Sequence, residues 1–204
     1  MKGSLYALVY AAVLGAVCAL LLTAAAGVTA PYRQANAEAE EILNILMVLK
    51  VPLEPDTSAK QLGEVFKNNV REEQYGGITT YVYSSPEAQG QIQAIALQFS
   101  GPGLWGPIKG FLALEQDMKT IRGITFYEQE ETPGLGGEIV SWGFRKNFVG
   151  LPIRDETGKV GIIISSRGEP APNKVDAISG ATMTCDKVEA MLNAAIRNIV
   201  EAKE

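Results

Sequence analysis

The chain has 204 residues, room for one membrane segment and one domain of common size, with a formal net charge of −5 from interspersed acidic and basic side chains. That balance offers no basic face to nucleic acid. The absence of histidine excludes His-based triads, His-ligated zinc and haem with a proximal His, and Cys18 and Cys185 cannot make a four-ligand metal site, so redox chemistry would fall to a bound organic cofactor.

No residue between Gly3 and Tyr32 is charged, and positions 5–28 are almost wholly apolar, a run long enough to span a bilayer, which takes roughly 20 residues. Ala35-Asn36-Ala37 resembles the cleavage site of a secretory signal, the rival reading. The run is much longer than the roughly 7–15 apolar residues of a signal, and Ala37 lies well past its end, which favours a retained anchor over 1–32. Lys2 and Arg33 flank the run and orient it only weakly. Cys18, in mid-run, reads as a small apolar residue.

Positions 33–75 read as a juxtamembrane helical region. Its first helix, over 34–49, turns apolar at Ile42, Leu43, Ile45, Leu46 and Val48 and is ended by Pro52 and Pro55. A weaker helix over 61–69 can break at Gly63. From 76 to 204 the period changes. Positions 78–83 are β-branched and aromatic, 91–99 alternate with Ile95, Leu97 and Phe99 on one face, and 121–128 and 160–165 complete the clearer strands. Ser84-Ser85-Pro86-Glu87 and Arg167-Gly168-Glu169-Pro170 read as surface turns. Strands flanked by helices predict an α+β fold with a largely antiparallel sheet.

The last helix is predicted from Asp186 to about Ala202, with Val188, Met191, Leu192, Ala195, Ile196 and Ile199 as its buried stripe and a capping-box-like spacing of Asp186 and Glu189. Before it stands Asp176-Ala177-Ile178-Ser179-Gly180-Ala181-Thr182-Met183-Thr184. Gly180 admits unusual backbone conformations, Ala181 permits close approach, and the amides opening the helix could face an anion near the Thr182 hydroxyl. A Ser/Thr-rich helix entry without a ligand is the commoner use of such a pattern. Between Gly101 and Lys109, three glycines and two prolines predict a loop on which Trp105 is either a lid over the core or a platform for a flat ligand. Glu131-Thr132-Pro133-Gly134-Leu135-Gly136-Gly137 is a second turn, set between two strand candidates and so outside a Rossmann or P-loop context. Glu131 is either part of a site or a solvated turn charge, and Glu138 reads as the latter.

Asp176-x-x-Ser179-Gly180-Ala181-Thr182 resembles the flavinylation motif of the FMN-binding domains in two related membrane complexes. These are the Na+-translocating NADH:quinone oxidoreductase, through its C subunit, and the ion-translocating ferredoxin:NAD oxidoreductase, through its G subunit. Gly101-Pro102-Gly103-Leu104-Trp105-Gly106-Pro107-Ile108 and Glu131-Thr132-Pro133-Gly134-Leu135-Gly136-Gly137-Glu138 resemble the same family in the same order. The Leu-Trp pair, with Gly-Phe-Leu-Ala-Leu after it, looks closer to the quinone-linked member than to the ferredoxin-linked one. Trp142 and Phe148-Val149-Gly150 resemble the family's aromatic-rich continuation, while Leu151 stands where the family leads one to expect lysine.

The resemblance implies an FMN-binding domain over 76–204 with FMN on Thr182 through a phosphoester placed by a separate flavin transferase. Asp176, Ser179, Gly180 and Ala181 would shape the acceptor turn, and Leu104, Trp105, Thr132, Leu135 and Gly136 would line the flavin pocket. It further implies an electron-transfer protein with no catalytic residue or metal of its own. Its partners would be the other membrane subunits of a redox-driven Na+ pump, and it would be a single-pass protein of the bacterial inner membrane with its domain on the extracytoplasmic side. The ferredoxin-linked complex is the alternative, and a non-redox anchored binding module a second one.

Overall fold

A computed structural model describes residues 2–75, 77–84 and 91–202. Most of the Ser84–Glu87 turn lies outside the described residues. The chain divides into two compact units, Met1–Ala39 and Glu40–Glu204. Helix α1 is Lys2–Val48, and among the described residues it is the one helix long and apolar enough to cross a membrane. The second unit begins inside the region 33–75 and includes the last turns of α1. The helix stops before Pro52, where Lys50 takes φ 54° and Val51 N donates to Leu46 O at 3.0 Å, a left-handed C-terminal stop.

Helix α2, Ala59–Asn69, runs unbroken through Gly63; Gln61 closes its first turn by accepting from the Ser58 amide at 2.8 Å. Five strands follow: β1 Val70–Tyr75, β2 Ile78–Ser84, β3 Ile92–Pro102, β4 Pro107–Glu115 and β5 Ile121–Glu128, which form one antiparallel sheet in sequence order. The Gly-Pro loop is therefore shorter than predicted, since β3 and β4 stay paired to Pro102↔Pro107 and only residues 103–106 turn. The Glu131 turn does not lead into a strand. It leads through a short 3-10 helix, Gly136–Val140, to helix α3, Trp142–Arg145, and a second 3-10 turn, Lys146–Phe148. The strand expected over 160–165 contracts to β6, Ile163–Ile164, paired in parallel with β7, Lys174–Val175. Residues 166–169 form an exposed bend, as the sequence predicts.

Helix α4, Thr182–Glu201, starts four residues before the predicted Asp186. Its true N-cap, Ala181, makes no side-chain capping bond, while the Asp186–Glu189 pair that imitates a capping box lies one turn inside. Glu189 serves elsewhere: its Oε2 accepts from Ile164 N at 2.6 Å. One turn on, Asn193 accepts from Ile162 N at 2.7 Å and donates to Ile162 O at 2.9 Å.

Strand alternation splits the sheet's two faces between two cores. Ile95, Leu97 and Phe99 join Leu112, Ile124 and the α4 stripe of Val188, Leu192, Ile196 and Ile199 on one face. Ala94 and Ala96 face the opposite way, with Tyr81, Phe111, Leu62 and, around the end of α1, Ile45, Leu46, Val48 and Leu49. Full burial of a side chain such as Leu192 or Ile196 stabilises by about 1.5–3 kcal/mol. The fold is α+β, and it sets the start of α4 against the β3–β4 hairpin and the loop after β5.

Candidate functional site

The chain enters α4 through a tight turn in which Ala181 N donates to Ile178 O at 3.1 Å and Gly180 adopts φ 76°. A Cβ on Gly180 would also stand 3.0 Å from Leu135 Cδ2, so the positive φ favours glycine and an added methyl would make the Leu135 side chain shift. The first amides of a helix have no intrahelical acceptor, and here no side chain caps them. Thr182 is thus the first helical residue, exposed, at an uncapped positive helix end. Ser179, Gly180 and Met183 are exposed beside it, Asp176 is exposed just after β7, and Ala181 is buried.

Thr184 points inward, and its partner is Glu131. Thr184 Oγ1 donates to Glu131 Oε2 at 2.6 Å, while Glu131 Oε1 accepts from the amides of Leu104 at 2.6 Å and Trp105 at 3.4 Å. Glu131 is only 5% exposed, so the solvated-charge alternative fails for it. This one carboxylate joins the hairpin tip, the loop after β5 and the first turn of α4. The adjoining glycines leave it room: a Cβ on Gly136 would lie 2.5 Å from Thr184 Oγ1 and 2.7 Å from Glu131 Oε2, and one on Gly103 would collide with Glu131 Oε1. Glu138 is exposed, as read from the sequence, and accepts from Gly134 N at 3.2 Å.

Around this junction several apolar side chains face solvent. Trp105 is 73% exposed, Leu104 42% and Leu135 44%, and Met183 is exposed as well. Trp105 is therefore not a lid over the core. The hairpin tip borders an open depression of about 540 Å³ lined by Gly103, Leu104, Trp105 and Lys109. Thr132 is exposed, and its carbonyl accepts from Leu135 N at 3.1 Å and Gly137 N at 2.9 Å, which holds the loop in shape. Gly136 is buried and supplies space rather than a contact surface. Leu151 packs on the core and its carbonyl accepts from Ile121 N at 2.8 Å, a backbone role that needs no lysine.

Sequence reasoning missed Thr184, Met183 and the role of Glu131. The signal for Thr184 was its place two residues after Thr182, which puts the two hydroxyls on different sides of a helix starting at 182. Cys185 is buried behind the turn; Ile178 N donates to its Sγ at 3.4 Å, and burial pushes the thiol pKa up, which keeps it unreactive.

Exposed apolar side chains, close-approach glycines and an uncapped helix start with a hydroxyl on its first residue suit a ligand with a flat apolar body and an anionic end. Residues 103–197 match the FMN-binding domain family. The fold and the match together point to the class: this part of the chain is similar to FMN-binding domains. The particular relatives to which the chain is similar are C subunits of the Na(+)-translocating NADH-quinone reductase. That of Vibrio anguillarum is 36% identical over 142 residues, 69% of this chain and 54% of that one, and that of Yersinia pestis 42% identical over 106 residues, 51% of this chain and 40% of that one. The chain thus spans about half the length of these curated relatives. A crystal structure of the C subunit of the Na(+)-translocating NADH-quinone reductase from Parabacteroides distasonis shares the fold, with a TM-score of 0.65 and 24% identity, covering 82% of this chain and 92% of that one.

Proposed function

We propose that this chain is a membrane-anchored electron-transfer subunit that carries FMN covalently on Thr182, within a complex that oxidises NADH, reduces quinone and moves Na+. The observation that carries the reading is the junction at Glu131, which brings the three motifs together around the exposed Thr182. The similarity to the quinone reductase relatives favours the NADH:quinone complex over its ferredoxin-linked counterpart.

Thr182 Oγ would form the phosphoester. The uncapped amides opening α4 would stabilise the phosphate's negative charge, and Gly180 with Ala181 would let it approach the backbone. Leu104, Trp105 and Leu135 would pack on the ring system and exclude water, with Thr132 as a polar contact. Asp176 and Ser179 would complete the surface recognised by the flavin transferase. When bound, FMN supplies the one- and two-electron chemistry that no side chain of this protein offers. Glu131 would hold the hairpin tip and the helix start in fixed relation, so that the ring contacts and the attachment point stay in register. The N-terminal apolar helix would anchor the chain in the inner membrane as a single pass, with the domain on the extracytoplasmic side and the other subunits of the complex beside it.

The test is fluorescence on a denaturing gel after co-expression with a flavin transferase. The wild-type band is expected to fluoresce and the Thr182→Ala band to be dark. A fluorescent Thr182→Ala band, or a dark wild-type band from flavinylation-competent cells, would overturn the assignment.

A further inference from the structure

A second concave surface lies away from the flavin motifs. Its volume is about 380 Å³, and it runs along β5 between the end of α1, at Met47 and Lys50, and the α3 turn, at Trp142, Arg145 and Val149. β5 is the terminal strand of the sheet, with β4 on its inner side. Every charged residue lining the groove is basic: Lys50, Arg122, Arg145 and Lys146, in a chain whose net charge is −5. Arg122 is satisfied internally, donating to Leu49 O at 2.9 Å and to Glu115 Oε2 at 2.7 Å. Lys50, Arg145 and Lys146 take part in no ion pair among the described residues. The Arg145 Nε has no hydrogen-bond partner among the described residues, while the side chain as a whole is only partly buried, so the guanidinium's charge is unpaired at the groove. Beside these cations Trp142 is 69% exposed, and Met47 and Val149 are exposed too. Trp, Met and Arg are the residues enriched where proteins meet, whereas a merely solvated face carries Lys and Glu without large aromatics.

We propose that this groove docks an extended acidic segment of a neighbouring polypeptide. One carboxylate of the segment would sit between Arg145 and Lys146 and pair with their charges, and an apolar side chain would lie on Trp142. The terminal strand favours an extended occupant, because a sheet edge aligns a peptide along itself. The uniformly positive lining selects acidic segments over basic ones and steers their approach. The groove uses none of the residues assigned to FMN, so this inference stands apart from the functional reading.

The test places p-benzoylphenylalanine at Trp142 in the full chain, in its own membranes, and identifies the photoadduct by mass spectrometry. The expected product is a peptide adduct in which Asp or Glu flanks the linked residue. Lys146→Glu, a change at an exposed position, is expected to lower its yield about tenfold. Arg145→Glu is expected to do at least as much, and urea melts that match wild type report that both variants fold. An adduct with lipid only, an adduct to a segment without carboxylates, no adduct, or a yield unmoved by Lys146→Glu would each overturn the proposal. An acidic-peptide adduct from a chain that never acquires fluorescence would sink the FMN reading and leave the groove standing.

Discussion

Glu131 and Thr184 are hydrogen bonded to each other at 2.6 Å in the interior, although they lie 53 residues apart in sequence. Hydrogen bonds to charged groups contribute about 1.5–3 kcal/mol, and removing one partner leaves the other buried and less satisfied. Thr184→Val keeps the shape and deletes the donor. It is expected to destabilise the domain by about 1.5–3 kcal/mol in urea melts while leaving the exposed Thr182 hydroxyl in place. Glu131→Ala, which strips acceptors from three donors, is expected to cost more. Equal stability of Thr184→Val and wild type would show that the bond does not hold the loops.

Gly180→Ala tests the turn itself. A left-handed backbone costs a non-glycine residue about 1–2 kcal/mol, and the added methyl would press on Leu135. The expected result is a domain destabilised by about that amount, with Thr182 labelled more slowly because the turn relaxes toward another conformation. Wild-type labelling and melting would remove any special role for this glycine.

Trp105→Leu separates ligand contact from core packing. At 73% exposure the side chain contributes little to the unliganded fold, so the melting of the unlabelled domain should shift by no more than about 0.5 kcal/mol. In the labelled protein the flavin spectrum or potential should change. A large loss of stability with an unaltered potential would reverse the assignment.

Alkaline stability reports on Tyr81. Burial first, and then the charges of Glu72 and Glu41, push its phenol pKa up to about 12. The folded state thus prefers the neutral phenol. The resulting stability is intact below pH 10, where an unfolded tyrosine is still neutral, and is lost as pH rises from about 10 through about 12. Tyr81→Phe, which keeps the edge contacts with Phe66 and Phe111, should flatten that decline in urea melts at stepped pH. A variant that falls as steeply as wild type would place the alkaline transition elsewhere.

Legibility followed the range of the interactions involved. The Ile95, Leu97, Phe99 face and the α4 stripe were readable because local periodicity alone decides which way such side chains point. β1 was missed because its Val-Arg-Glu-Glu-Gln-Tyr sequence is that of a polar edge, and β4 because Gly-Pro punctuation masked its start. The start of α4 was misread because Asp186 and Glu189 imitate a cap, whereas the real entry at Ala181 is left uncapped. The motif loops were legible by resemblance, but their junction was not. Glu131 finds its partners 26, 27 and 53 residues away, and in isolation an acidic residue before Thr-Pro-Gly reads as solvated.

The successive clamps on α4, from Thr184 to Glu131, from Glu189 to Ile164 and from Asn193 to Ile162, make its first turn a mooring post rather than a swinging arm. A cofactor fastened at Thr182 would have no lever of its own with which to travel.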